Sequence, residues 1–151
     1  MDPSVTAESY LALFGVSFLA ATLFPLGSEW LLAAMIISGS SVPFSIAVAS
    51  SGNYLGGVTT YLIGLYGGAF LIRRVIGISE AKEERARRGY EKYGAWTLLL
   101  SWVPVVGDPI CLAGGMMKTG FIRFSLLVLT GKLARYTFVA LIAKEGIELM
   151  K

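Results

Sequence analysis

The sequence predicts an all-α membrane protein with an inverted internal repeat, each half a re-entrant helical hairpin followed by a transmembrane helix. Three observations carry that expectation. Only 15% of the 151 residues are charged and the mean hydropathy is +0.68, whereas soluble domains carry about 25% charged residues. The apolar sequence falls into long segments of transmembrane length, and two proline-glycine-acid interruptions recur at matching positions in the two halves. On this reading 1–151 is a single integral membrane domain, with half-repeats at 9–72 and 93–145 joined by a charged connector at 73–92.

The N-terminal MDPSVTAESY is acidic and lacks the basic start of a secretory signal peptide, so the apolar sequence after it is expected to stay in the mature chain. The first apolar segment covers 10–37 and the second 44–72, separated by SGSSVP; the third covers 93–117 and the fourth 121–143, before the mixed-charge tail KEGIELMK. A helix of about 20 residues crosses about 30 Å of hydrocarbon, so each segment has the length of a crossing.

The first and third segments are poor material for an unbroken helix. FPLGSE places Pro25 and Gly27 ahead of Glu29, and WVPVVGDP places Pro104, Gly107 and Pro109 around Asp108. Proline removes a backbone donor and clashes with the preceding turn, and glycine lets the chain turn, so the helix bends or breaks at both places. Such backbone must be sheltered inside protein or line a water-filled cavity. Two conformations meet that demand: a kinked transmembrane helix at each place, or two re-entrant hairpins. In the second, Asp108 caps the following helix and Pro109 occupies its first turn.

The two breaks match in register. Pro25 and Pro104, Glu29 and Asp108, and Gly52 and Gly131 all share one sequence offset, and PFS at 43–45 with RFS at 123–125 departs from it by a single position. Several ordered matches indicate a repeated unit of broken segment plus crossing helix. A hairpin that returns to its starting side, followed by one crossing, leaves the second half inverted relative to the first.

Charge placement assigns the sides. The connector at 73–92 holds 11 of the 23 charged side chains, seven of them basic. With Lys118 and Arg123 it belongs in the cytoplasm by the positive-inside rule, and hairpins then put Ser40 outside and Thr119 in the cytoplasm. In a four-crossing chain the termini join the connector and Lys118 moves outside. IGISEAKEERARRGYEKYG reads as a short interfacial helix with Ser79 near its beginning and Glu80 in its first turn, and Tyr90, Tyr93 and Trp96 suit the return to the headgroup region.

Several function classes are excluded or disfavoured. Without histidine there is no His-based zinc site, Ser-His-Asp triad or Cys-His pair, and no activated nucleophile is evident, so no enzyme, metal or cofactor is expected. The single Cys111 reads as a packing residue, and the basic excess sits in one loop, which disfavours a nucleic-acid surface. Met116 and Met117 read as packing residues, and Gly52, Gly56, Gly57, Gly64, Gly114 and Gly115 as places of close helix approach. Asn53 either contacts a hairpin or hydrogen-bonds within the bundle.

FPLGSEWLLAAMIISG and SSGNYLGGVTTYLIGLYGG in the first half, and SWVPVVGDPICLAGGMMKTGFIRFSLLVLTGKLARY in the second, resemble the DedA superfamily of integral membrane proteins, especially its short YqaA-like branch, over roughly 13–142. The resemblance implies oppositely oriented re-entrant hairpins and transport or transbilayer movement of phospholipids or polyprenyl phosphate carriers, with coupling to a proton or other ion. Glu29 matches the acidic position of the first hairpin, Pro104 the proline of the second, and Gly114 with Met117 its distal glycine-methionine pattern. Better-known relatives carry arginines around the second proline. Here Trp102, Gly107 and Asp108 stand in that region, so the family's phosphate-binding arrangement is not carried over.

Between Glu8 and Arg73 the one charged residue is Glu29, and between Lys92 and Lys118 it is Asp108; Lys132 and Arg135 lie in the last apolar segment. A charged residue at a helix centre costs about 2.5–3.5 kcal/mol on insertion scales, so these four are expected to face a shared cavity or one another. Their formal charges sum to zero. One reading makes them a substrate-binding or coupling site, with a base attracting phosphate and an acid exchanging a proton; the other makes them a structural salt-bridge network. The expected partners are membrane lipids, the location a bacterial inner membrane, and a homodimer suits so small a chain. The alternative role is a membrane structural or assembly factor.

Overall fold

Two long helices organise the chain, and the shorter elements lie against them. The computed structural model describes residues 7–22, 27–67, 79–103 and 106–149. In order they form α1 (Ala7–Ala20), α2 (Glu29–Ile37), α3 (Val42–Tyr66), α4 (Glu80–Tyr93), a 3-10 helix (Gly94–Trp102), α5 (Gly107–Met116) and α6 (Phe121–Leu149). The described residues are all-helical, with no strand. Pro25 and Pro104 lie outside them.

One described helix, over Phe121–Gly146, is long and apolar enough to cross a membrane. At 26 residues it measures about 39 Å, more than the hydrocarbon thickness. The 25 residues of α3 reach about 37 Å, but its glycines, serines and threonines leave it less apolar. By contrast α2 and α5, of 9 and 10 residues, are only about 14 and 15 Å long.

α1 closes with tight i to i−3 bonds from Ala21 N–H and Thr22 N–H, and α2 begins at Glu29. The contacts give the directions. Phe14 and Phe18 of α1 lie against Gly52 and Gly56 of α3, and the Thr60 hydroxyl donates to the Ala21 carbonyl at 3.3 Å, so α1 and α3 run parallel. Tyr10 packs edge-on to Phe44 with ring centroids 4.7 Å apart, which sets the start of α1 beside the start of α3, where α2 has just ended. The start of α1 and the end of α2 therefore lie at the same end of α3.

The second half pairs in a reciprocal way. α5 lies along α3, with Cys111 opposite Gly57 and Gly115 against Tyr61, while α2 lies along α6, with Glu29 and Ser28 reaching Arg135 and Tyr136. The initial leg of each half packs on its own long helix, α1 on α3 and the 3-10 helix on α6. The long helices run in opposite senses: Tyr61 meets Phe121 and Phe124, and Gly57 faces Val128 and Lys132.

The ends of α2 and α5 repeat one another bond for bond. Ser38 N–H donates to Ala34 O and Gly39 N–H to Ile36 O, each at 3.0 Å; at the matching positions of the second half Met117 N–H donates to Ala113 O at 2.8 Å and Lys118 N–H to Gly115 O at 2.9 Å. The third bond, Ser40 N–H to Met35 O, recurs as Thr119 N–H to Gly114 O, both at 3.0 Å. Gly39 has φ +85° and its counterpart Lys118 φ +52°. Both close the helix through a left-handed residue, which glycine adopts freely and lysine adopts with strain.

Two expectations need correction at this level. Asp108 does not cap α5: the cap position is Val106, and Asp108 lies inside the first turn with Pro109. The initial leg of the second half is a 3-10 helix, entered through Gly94 at φ +64°. The connector does form a helix, beginning at Glu80, with an exposed Arg88–Glu84 pair at 3.0 Å one turn apart.

Candidate substrate cavity

Two apolar clusters divide the bundle along its length. One contains Tyr61, Leu98, Cys111 and Phe124; the other contains Leu13, Leu32, Ala49 and Tyr136. Cys111 packs within the first, as a small hydrophobe should. Between them each long helix presents a polar residue, Asn53 in α3 and Lys132 in α6, each the twelfth residue of its helix. Their separation in sequence is the same as that of Glu29 and Asp108.

A cavity of about 600 Å³ opens here, lined by Glu29, Asp108, Lys132 and Arg135 together with Asn53, Gly27 and Gly107. Phe138 and Val139 contribute apolar wall. Four charges scattered across both halves of the sequence thus converge on one space. The acids arrive on the first turns of α2 and α5, where the positive end of a helix favours a carboxylate by about 0.3–1 kcal/mol. The bases arrive on one face of α6, three residues apart.

The four are not equivalent. Arg135 forms an ion pair with the Glu29 carboxylate and also donates to the Trp102 carbonyl at 2.9 Å, so one guanidinium ties α6 to the start of α2 and to the end of the 3-10 helix. The Arg135 and Glu29 side chains are 16% and 23% exposed. The neighbouring Tyr136, fully buried, shares a hydrogen bond with the Ser28 hydroxyl, a second tie between the same elements. Lys132 is 2% exposed and forms no hydrogen bond or ion pair among the described residues. Its stem runs past Gly57, where an added Cβ would stand 4.0 Å from Lys132 Cε.

Asn53 makes a hydrogen bond within the bundle. Its Nδ2 donates to the Ser17 carbonyl at 2.9 Å, holding α1 to α3, while the residue lines the cavity with its Oδ1 unpartnered. The remaining candidates stand elsewhere. Gly114 sits against Leu98 and Phe124, Pro109 is buried in α5, and Met117 ends α5 at 43% exposure. Ser28, Ser101, Trp102 and Tyr136 were not anticipated. Only Tyr136 had a signal, its place one residue beyond Arg135 in the last apolar segment. No group of three or more metal-ligating side chains occurs among the described residues.

The cavity lies within a matched family region. A model of the VTT domain matches residues 9–145, which includes both halves and every cavity residue. The chain belongs to the DedA/VTT superfamily, in its YqaA-like branch. It is 40% identical over 141 residues to the inner membrane protein YqaA of Escherichia coli (strain K12), covering 93% of this chain and 94% of that one. The YqaA of Shigella flexneri matches to the same extent, and an uncharacterised Haemophilus influenzae protein is 35% identical over 138 residues, covering 86% of this chain and 84% of its own. No solved structure matches the chain. YqaA-like membership places the chain among integral membrane proteins.

Proposed function

We propose that this protein moves phospholipid or polyprenyl phosphate headgroups across a bacterial inner membrane through the cavity between α3 and α6. The observation that carries the reading is the convergence of Glu29, Asp108, Lys132 and Arg135 on one cavity midway along both long helices. Family membership and the inner-membrane location named for its 40% identical relative support it.

In the proposed arrangement α1 with α2, and the 3-10 helix with α5, are inverted re-entrant hairpins, and α3 and α6 cross the bilayer. The half-length α2 and α5, the opposite senses of α3 and α6, and the reciprocal packing support that arrangement. The charged connector faces the cytoplasm. A phosphate entering the cavity is attracted by Lys132, while the Glu29–Arg135 pair opens or closes the approach between α2, α6 and the 3-10 helix. Acyl chains stay in lipid while the headgroup exchanges sides, and an acid in the cavity exchanges a proton or other ion. A homodimer fits the small size of each chain.

The full chain purified into liposomes accelerates transbilayer movement of labelled lipid, and Glu29→Gln and Lys132→Gln slow it without unfolding the protein. Inactivity of wild type across phospholipids and polyprenyl phosphate would reject transport. The closed Glu29–Arg135 pair favours one second reading, an assembly factor whose charges hold the bundle together. Stable co-purification with one membrane partner and no lipid movement would select it.

A further inference from the structure

The connector helix α4 lies away from the cavity, and its charges are sorted around its axis. Lys82, Arg85, Arg88 and Lys92 follow one another at three, three and four residues, so at about 100° per residue they share about a third of the helix circumference. Continuing around the axis, Tyr93 borders this stripe on one side, and Glu84 and then Glu91 follow Arg88 on the other. All four cations are exposed. Arg88 meets Glu84 at 3.0 Å across the edge of the stripe, in an exposed pair of the kind that stabilises little and exchanges readily for another anion.

The aromatic border continues past the end of the helix. Tyr93 and Trp96 are 60% and 71% exposed, and the Lys92 ammonium stands 5.1 Å from the centroid of the Tyr93 ring. Tyrosine and tryptophan collect at the level of lipid headgroups, where an apolar ring and a polar tip are both satisfied. α4 itself carries too many charges to enter hydrocarbon, and no described residue in it is buried. It lies against α5 and the 3-10 helix, so whatever holds α4 also bears on the second half of the chain.

We propose that α4 is a docking surface for anionic phospholipid. With Tyr93 and Trp96 dipped into the headgroup layer, the stripe of Lys82, Arg85, Arg88 and Lys92 rests on phosphodiester groups of the adjacent leaflet, and the carboxylates of Glu84 and Glu91 turn toward water. This needs the chain to sit in a bilayer, which its family establishes, and does not rest on lipid movement through the cavity. The geometry favours a lipid surface over a soluble phosphate. From Lys82 to Lys92 the stripe runs about 15 Å along a convex helix face, so it offers one cation to each of several phosphates rather than converging on one. A net negative headgroup such as phosphatidylglycerol gains from it, whereas phosphatidylcholine brings a cation of its own to the same surface. Each lysine or arginine held near an anionic surface is worth about a fivefold preference.

Hydrogen–deuterium exchange of the full chain in lipid nanodiscs tests the surface, comparing phosphatidylcholine alone with an equal mixture of phosphatidylcholine and phosphatidylglycerol. In low salt the amides of α4 are expected to exchange roughly tenfold more slowly beside phosphatidylglycerol, and molar salt should remove the difference. Lys82→Gln with Arg85→Gln should remove most of it. Lys118→Gln with Arg123→Gln deletes the same charge from the junction of α5 and α6, and should leave it. Each variant is compared with itself in the two lipids, so a change in its own stability cancels. Equal exchange of wild type in the two nanodiscs overturns the surface, whether or not the variants fold. A difference that survives molar salt, or that falls equally in both double variants, overturns it as well, since the stripe would then contribute nothing beyond general charge.

Discussion

Arg135 joins α6 to two other segments through one side chain, Glu29 on α2 and the Trp102 carbonyl at the end of the 3-10 helix. Lysine has the charge but not the fork, so Arg135→Lys is expected to keep the ion pair and lose the carbonyl bond. Arg135→Ala leaves a mostly buried carboxylate without its cation and should destabilise the protein by about 2 kcal/mol, while Glu29→Gln with Arg135→Ala together should cost less than the sum of the two single changes by about 1–2 kcal/mol. Reversible unfolding in detergent gives the cycle; additive single changes would show that the pair contributes nothing. The identity of the charged residues was legible because charge is so rare in these segments that each instance demands a partner. Which base takes which acid was not legible, since Lys132 and Arg135 share a face and differ only in how far and in what shape they reach. The relation of Asn53 to Lys132 lies in the same offset that matches the acids.

Among the elements, α3 has the most neighbours to accommodate, and its glycines are where it does so. Gly52 and Gly56 admit the backbone of α1, while Gly64 meets the Leu112 carbonyl and Gly115 of α5 meets the Tyr61 carbonyl. An added Cβ at Gly64 or Gly115 collides with main chain that has no rotamer to yield, so alanine there should cost about 2 kcal/mol or more by forcing α3 and α5 apart. Gly146 of α6 has nothing within 4 Å of the same added atom, and alanine there should stabilise by about 0.5–1 kcal/mol through helix propensity alone. Melting temperatures of the three variants in one detergent separate close packing from propensity, and equal shifts would contradict the α3–α5 contact. These glycines were readable as sites of close approach, though not which neighbour each admits, because that depends on which helix arrives. The breaks near Glu29 and Asp108 were equally readable from proline and glycine. The 3-10 winding of Gly94–Trp102 was not, since its apolar run carries no periodicity that separates it from an α-helix. Nor was the left-handed cap at Lys118, where lysine occupies a conformation that the sequence signals only through Gly39 in the other half.

At the scale of the molecule a repeat is expected from a sequence offset, but orientation is not contained in an offset; the expectation for it rests on where the positive charges fall. The identical caps at Gly39 and Lys118 make the two positions structural equivalents, so inversion requires them to face opposite sides of the membrane. A four-crossing chain with the same cytoplasmic connector would keep Gly39 outside and put Lys118 outside as well, which makes the sidedness of the Lys118 cap the deciding measurement and the Gly39 cap its reference. Ser40 and Thr119 themselves are buried, so a cysteine there would be poorly reached; the adjacent Ser41 and the α5-terminal Met117 are exposed and suit the measurement. Cys111 is fully buried and gives a silent background. Ser41 makes no side-chain capping bond to α3, so Ser41→Cys should not disturb that helix. In intact spheroplasts a membrane-impermeant maleimide is expected to label Ser41→Cys directly and Met117→Cys only after permeabilisation. Labelling of Met117→Cys from outside would refute the inverted hairpins, because the positive charge of Lys118 and Arg123 would then sit on the side from which the positive-inside rule excludes it, and α3 and α6 would have to cross in the same sense instead of in opposite senses.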